Sequence, residues 1–201
     1  MWDTIPDREV IMETMRALER NGIRAELFED GEGAKARALS LVPKGASVLT
    51  ATSITLDSLG ISKDIDGNLG YASFRERFRS IGDADERLAA RRALVNPDFA
   101  LGSVQAVTRS GHLFFATKSG SQLPAYAYSA GNVILVVGTQ KIVKDDAEAV
   151  RRIEERCVPM EQKRMMGAYG IGTSFNKMLV IRREDIEGRT RVLFVNREVG
   201  F

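Results

Sequence analysis

Val133-Ile134-Leu135-Val136-Val137 is an unbroken aliphatic run that closes on Gly138. A strand with one wet face alternates apolar and polar residues; this run does not, so both of its faces must be covered. Five residues suit a strand and are too few for a buried helix. The run therefore predicts a strand in the middle of a parallel sheet, and parallel neighbours require crossovers, usually helical, that cover the sheet on both sides.

The sequence around it supplies those helices. Between Asp7 and Arg20, Ile11, Met15 and Leu18 recur at helical spacing, and Asn21-Gly22 ends the pattern. Ile23 to Phe28 reads as a strand, Ala34 to Leu41 as a helix, and Pro43-Lys44-Gly45 turns the chain into a strand over Ala46 to Thr50. Ser62 to Val95 breaks the rhythm and reads as an Arg-rich helical insertion. Its arginines (Arg75, Arg77, Arg79, Arg87, Arg91, Arg92) could face a phosphate or an acidic partner. Glu76, Asp83, Asp85 and Glu86 lie among them and can pair with them instead, as on a solvated helix. Strand patterns return at Phe99 to Leu101 and His112 to Ala116. Asp145 and Glu148 open a helix whose apolar stripe is Ala147, Val150, Ile153 and Cys157, with Pro159 expected to end it. Met178 to Ile181 and Val192 to Val195 are expected as closing strands.

Composition removes several function classes. With 29 Lys and Arg against 27 Asp and Glu, the net charge of +2 gives no general attraction to nucleic acid or anionic membrane. Cys157 is the one cysteine and His112 the one histidine, so neither a disulfide framework nor a Cys- or His-rich metal site is expected, and no cofactor is expected either. Cys157 on an apolar stripe reads as core rather than as a nucleophile. The start of the chain lacks a signal pattern and no apolar run is long enough to span a bilayer, so a cytoplasmic protein is expected, with residues 1–201 as one domain.

In an open α/β sheet, ligands collect beyond the carboxyl ends of the strands. Three segments qualify. Thr52, Ser53 and Thr55 follow the strand ending at Thr50 and offer hydroxyls to an anion, although Thr52 or Ser53 would serve equally as a helix cap. Gly102 and Ser103 follow the Phe99 to Leu101 strand, where small residues permit close backbone approach. Gly138, Gln140 and Lys141 follow the aliphatic run, and Lys141 offers a cation there, or simply a solvated side chain. Asp98 is the one carboxylate in the second of these segments and a weak candidate for acid–base work, having no visible partner. No P-loop is present, and Gly170-Ile171-Gly172 follows a charged helix, so it reads as a connection.

Pro43-Lys44-Gly45-Ala46-Ser47-Val48, Gly102-Ser103 to Gly111, Gly120-Ser121-Gln122 and above all Val136-Val137-Gly138-Thr139-Gln140-Lys141-Ile142-Val143 resemble the LUD domain family of lactate-utilisation proteins. The chain resembles its short stand-alone form. The resemblance implies a NagB/RpiA/CoA transferase-like fold, whose relatives bind sugar phosphates, CoA thioesters or folates. It also implies a role in lactate or other organic-acid utilisation, beside iron–sulfur oxidoreductase subunits that would carry any cluster. An isomerase or CoA-transferase-like enzyme, or an interaction protein for such a partner, are the alternatives it leaves. The sequence departs from the family at Ala51-Thr52, where relatives often carry a glycine pair, and at Arg109, where an acidic residue is common. The expectation is a small anionic metabolite held at the strand ends.

Overall fold

The structure is a computed structural model that describes residues 2–67, 70–93 and 96–201. Helix α1 (Arg8–Arg20) leads to strand β1 (Arg24–Phe28), helix α2 (Gly31–Ser40) and strand β2 (Ser47–Thr50). Asp30 starts α2 by accepting a 2.9 Å bond from the Gly33 N–H, which satisfies one of the amides every helix leaves free at its first turn. Short helices α3 (Ile54–Ser58) and α4 (Ile61–Asp66), strand β3 (Ala72–Ser73) and helices α5 (Phe74–Arg79) and α6 (Ala84–Ala93) follow. The Arg-rich segment is thus mostly helical, and it also supplies the edge strand β3, paired with β2. Residues 68–69 and 94–95 of that segment lie outside the described residues.

Strands β4 (Phe99–Gly102), β5 (Ala106–Thr108) and β6 (Leu113–Thr117) come next, then a π-turn at Ala125–Ser129 and strand β7 (Asn132–Gly138). A 3-10 turn at Thr139–Lys141 leads through β8 (Ile142–Val143) to helix α7 (Asp146–Arg152), a π-turn at Ile153–Cys157 and helix α8 (Val158–Tyr169). Strands β9 (Lys177–Ile181) and β10 (Thr190–Val195) finish the fold.

The main sheet has six strands in the order β1-β10-β7-β4-β2-β3. Every neighbouring pair runs parallel. The aliphatic run lies between β10 and β4, as its composition requires. Its residues divide between two cores: Val133, Leu135 and Val137 pack with Leu18 and Phe194, while Ile134 and Val136 pack with Ala34, Ala38, Leu56, Ile61 and Ile65 of α2, α3 and α4. Two-residue periodicity makes that division unavoidable.

A second sheet of four strands, order β8-β5-β6-β9, covers much of the first core. Phe115 of β6 points toward the main sheet, whereas Phe114 points outward to Val143, Ala149 and Ile153 under α7. The two closing strands consequently belong to different sheets, β9 pairing with β6 and β10 with β1 and β7.

Pro159 does not end its helix. The chain runs on to Tyr169 and stops at Gly170, in the left-handed conformation. The reason lies in the π-turn before it: widening the helix there already interrupts the regular ladder, and Pro159 falls in the first turn of α8, where a missing N–H forfeits little. Among the described residues no helix is long and apolar enough to cross a membrane.

Candidate functional site

Parallel pairing sends the carboxyl ends of β2, β4 and β7 to one rim. Thr50 stands level with Leu101, and Gly102 with Leu135, three residues before Gly138. Beyond these ends the chain leaves the sheet through Ala51 to Ser53, Ser103 to Gln105, and Thr139 to Lys141, and the pocket forms between the first two of these loops and the π-turned helices. It measures about 440 Å³, a size suited to a small metabolite.

Lys141 sits on its floor. The sequence left open a solvated lysine, yet only 1% of it is exposed. The 3-10 turn after β7 points it inward, where Nζ lies 3.0 Å from Thr55 Oγ1, 3.2 Å from Ser103 Oγ and 3.2 Å from the Val104 carbonyl. One amine therefore joins all three strand ends. Burial pulls its pKa down to about 7, Arg152 adds repulsion, and Cys157 opposes the shift.

Thr55 is itself committed, donating its hydroxyl proton to the Val199 carbonyl at 3.2 Å. Gln140 donates to the carbonyls of Val199 and Gly200, both at 3.1 Å, and so holds the C-terminal segment that brings Phe201 to the pocket. Gly138 lies beneath the same segment: a Cβ there would fall 2.7 Å from the Arg197 carbonyl oxygen. Gln140 and Gly138 thus serve the pocket from behind its wall. Thr52, exposed, and Ser53 line its mouth, and Ser53 also caps α3 by accepting from the Leu56 N–H.

Gly102 explains a residue that sequence reasoning missed. A Cβ at Gly102 would stand 1.8 Å from the hydroxyl of Tyr126, so glycine is what lets that ring reach the strand end. Tyr126 is 2% exposed, stacks at 4.9 Å on Phe115, and its hydroxyl has no hydrogen-bond partner although it lines the pocket. Burial pushes its pKa up, so the group stays a donor. The signal in the sequence was a glycine at a strand end, which announces a close approach without naming what approaches. Arg189 sets the position of Tyr126 by donating to the carbonyls of Ala125, Tyr126 and Ala130 while paired with Glu184 at 2.7 Å.

The ionised groups around the opening are mostly cations. Among the described residues Arg75, Arg91, Lys118 and Arg164 line it against one acid, Glu161, which is paired with Arg164 at 2.6 Å. Two of the insertion's arginines thus reach the pocket. Arg75 also approaches Asp66 at 3.4 Å, and Asp66 accepts from Thr50 at 3.0 Å. Arg79 pairs with Glu76, and Arg87 donates to the Ile81 and Gly82 carbonyls. Cys157 also lines the pocket, with burial holding its thiol pKa up, and Arg152 donates to it at 3.0 Å.

Asp98 lies elsewhere. It precedes β4, at the amino end of the sheet, where its carboxylate accepts from the Ser47 N–H at 2.9 Å and the Ser47 hydroxyl at 2.7 Å; those bonds hold its pKa below the usual carboxylate range. The structure brings together Thr52, Ser53, Thr55, Gly102, Ser103 and Lys141, and leaves Asp98 at the opposite end. His112 bonds Asp146 at 2.7 Å and does not line the pocket. Among the described residues no three of His, Cys, Asp and Glu gather where they could hold a metal ion.

Against known proteins, residues 11–189 match the family model described as the LUD domain. No curated protein sequence matches the chain. Among solved structures it is similar to the crystal structure of a DUF162 family protein from Deinococcus radiodurans, with a TM-score of 0.59 over 96% of this chain and 98% of that one. The identity is 11%, so that likeness is one of fold. The family match spans most of the sequence, and the chain belongs to the LUD domain family.

Proposed function

We propose that this protein binds a small anionic metabolite of organic-acid utilisation, lactate or pyruvate being the first to consider, in the pocket floored by Lys141. The observation that carries the reading is a buried amine joining three strand ends beneath a rim of Arg75, Arg91 and Lys118. A carboxylate or phosphate entering there meets cations and the hydroxyls of Thr52, Ser53 and Ser103, and it relieves the repulsion between Lys141 and Arg152. Membership of the LUD family supports organic acids as the class to try. With Cys157 as its one cysteine, the chain would act as an accessory subunit, any iron–sulfur cluster belonging to a separate oxidoreductase polypeptide.

A melting screen with lactate, pyruvate, sugar phosphates, CoA and folates tests the reading. A ligand at 100 times its dissociation constant adds about 2.7 kcal/mol, roughly 5–10 °C for a chain of this size. That shift is expected for at least one of these anions and should vanish in Lys141→Met. No shift with any of them, or a shift undiminished by the substitution, would overturn it.

A further inference from the structure

The hydrogen bonds of Lys141 have a direction that bears on Ser103. Val104 offers a carbonyl, which can only accept. Thr55 has given its own proton to the Val199 carbonyl, so toward Lys141 it too accepts. A neutral amine has two N–H bonds and one lone pair. As an ammonium Lys141 donates to all three, the Ser103 hydroxyl among them at 3.2 Å; once it gives up a proton, Val104 and Thr55 keep both N–H bonds and the lone pair falls to Ser103. Ser103 is half-buried and opens on the pocket. Beside it, across Gly102, stands the Tyr126 hydroxyl, buried and without a partner.

We propose that Ser103 is an acyl-accepting nucleophile, with Lys141 as its general base and the Tyr126 hydroxyl as the donor to the developing oxyanion, acting on an ester or thioester that carries negative charge. The demand for negative charge rests on the anion-binding reading above; the serine and lysine pairing does not. In the reaction Ser103 Oγ forms a bond to the substrate carbonyl carbon as its proton passes to Lys141 Nζ. The carbon–oxygen or carbon–sulfur bond to the leaving group then breaks, and the leaving alcohol or thiol takes that proton. Water, deprotonated by the same amine, adds to the acyl carbon; the bond to Ser103 Oγ breaks, Lys141 returns the proton to that oxygen, and the acid leaves, so no electrons are gained or lost. Thr55, in α3, and Val104, two residues beyond the end of β4, hold the amine in place. The ionisable groups packed against Lys141 are Arg152, from the end of α7, and Cys157, on the π-turn; the first favours the neutral amine and the second the charged one.

A serine-directed fluorophosphonate, followed by intact-mass and peptide analysis between pH 6 and 9, tests the proposal without any ligand. Loss of fluoride and a single adduct on Ser103 are expected, at a rate that climbs with pH as Lys141 loses its proton. The adduct should be absent in Ser103→Ala. In Lys141→Arg, which keeps a cation in place but supplies no base, it should form about 100-fold more slowly or worse. Melting temperatures of both variants establish that they are folded, and Asp98→Asn, at the opposite end of the sheet, should retain labelling. No adduct on wild-type Ser103, a pH-independent rate, or equal labelling of Lys141→Arg would overturn the proposal. Labelling without any anion-induced melting shift would uphold the dyad and defeat the binding reading; a melting shift without labelling would do the reverse.

Discussion

Replacing Lys141 by methionine should change how stability responds to pH, with a magnitude set by the burial of the amine. Its pKa falls from 10.5 in the unfolded chain to about 7 in the folded one. Between those values the unfolded chain binds the proton and the native protein does not, so raising the pH favours the native state. The sign is therefore a stability that grows with pH above about 7 and levels off near 10.5. Integrated from pH 7 to pH 9, the linkage amounts to about 2 kcal/mol. The Cys157 thiol, raised by burial above its ordinary value of 9.0, works in the opposite direction near and above that pH. Both proteins carry it, and because it acts only near and above that pH it enters their difference below pH 9 only through its coupling to Lys141. Urea unfolding followed by circular dichroism at pH 7, 8 and 9 would measure this. Wild type should gain about 2 kcal/mol over Lys141→Met across the range. Parallel pH dependences would mean that the native amine stays charged, and the argument for its ionisation would fail.

Three further outcomes follow from the same geometry. Gly102→Ala forces a Cβ onto the Tyr126 hydroxyl and should cost about 1–3 kcal/mol of stability in denaturant unfolding; adding Tyr126→Phe should recover part of it. Arg189→Met leaves Glu184 without its cation and frees the turn carrying Tyr126; a loss of about 3–5 kcal/mol is expected in the same assay, whereas Glu184→Gln should cost less. Asp98→Asn removes a good acceptor from Ser47 at the far end of the sheet; it should lower stability by about 1–2 kcal/mol and leave any ligand-induced melting shift as it was.

The centre of the sheet was legible because β7, seven residues from Asn132 to Gly138, is buried on both faces. Val133 to Val137 announced the centre, and Ile11, Met15 and Leu18 announced α1, since both patterns come from local periodicity. The second sheet was not legible in full. Strand β5 has only Ala106–Thr108, and its pairing with β8 and β6 is decided by contacts remote in sequence. The continuation of the helix through Pro159 depended on a π-turn that residue types do not signal.

The site divides in the same way. That Thr55, Ser103 and Lys141 meet follows from parallel strands, and the sequence indicates their common rim. What it withheld was depth: a lysine after Gly-Thr-Gln reads as a solvated cation until the helix bearing Arg152 and Cys157 is laid across it. Tyr126 was hidden for a related reason. Its alternation with Ala125, Ala127 and Tyr128 says nothing of which ring turns inward, and the structure buries Tyr126 while leaving Tyr128 exposed. Asp98 illustrates the converse, because closeness to Gly102 in sequence spans the length of a strand in space.

The amine of Lys141 can be observed directly. In protein carrying 13C-labelled lysine, the side-chain resonance missing from Lys141→Met should titrate near pH 7, and its midpoint should rise saturably as pyruvate or inorganic phosphate fills the pocket. A resonance that titrates near 10.5 and ignores both anions would contradict the buried, anion-facing lysine from which the function is argued.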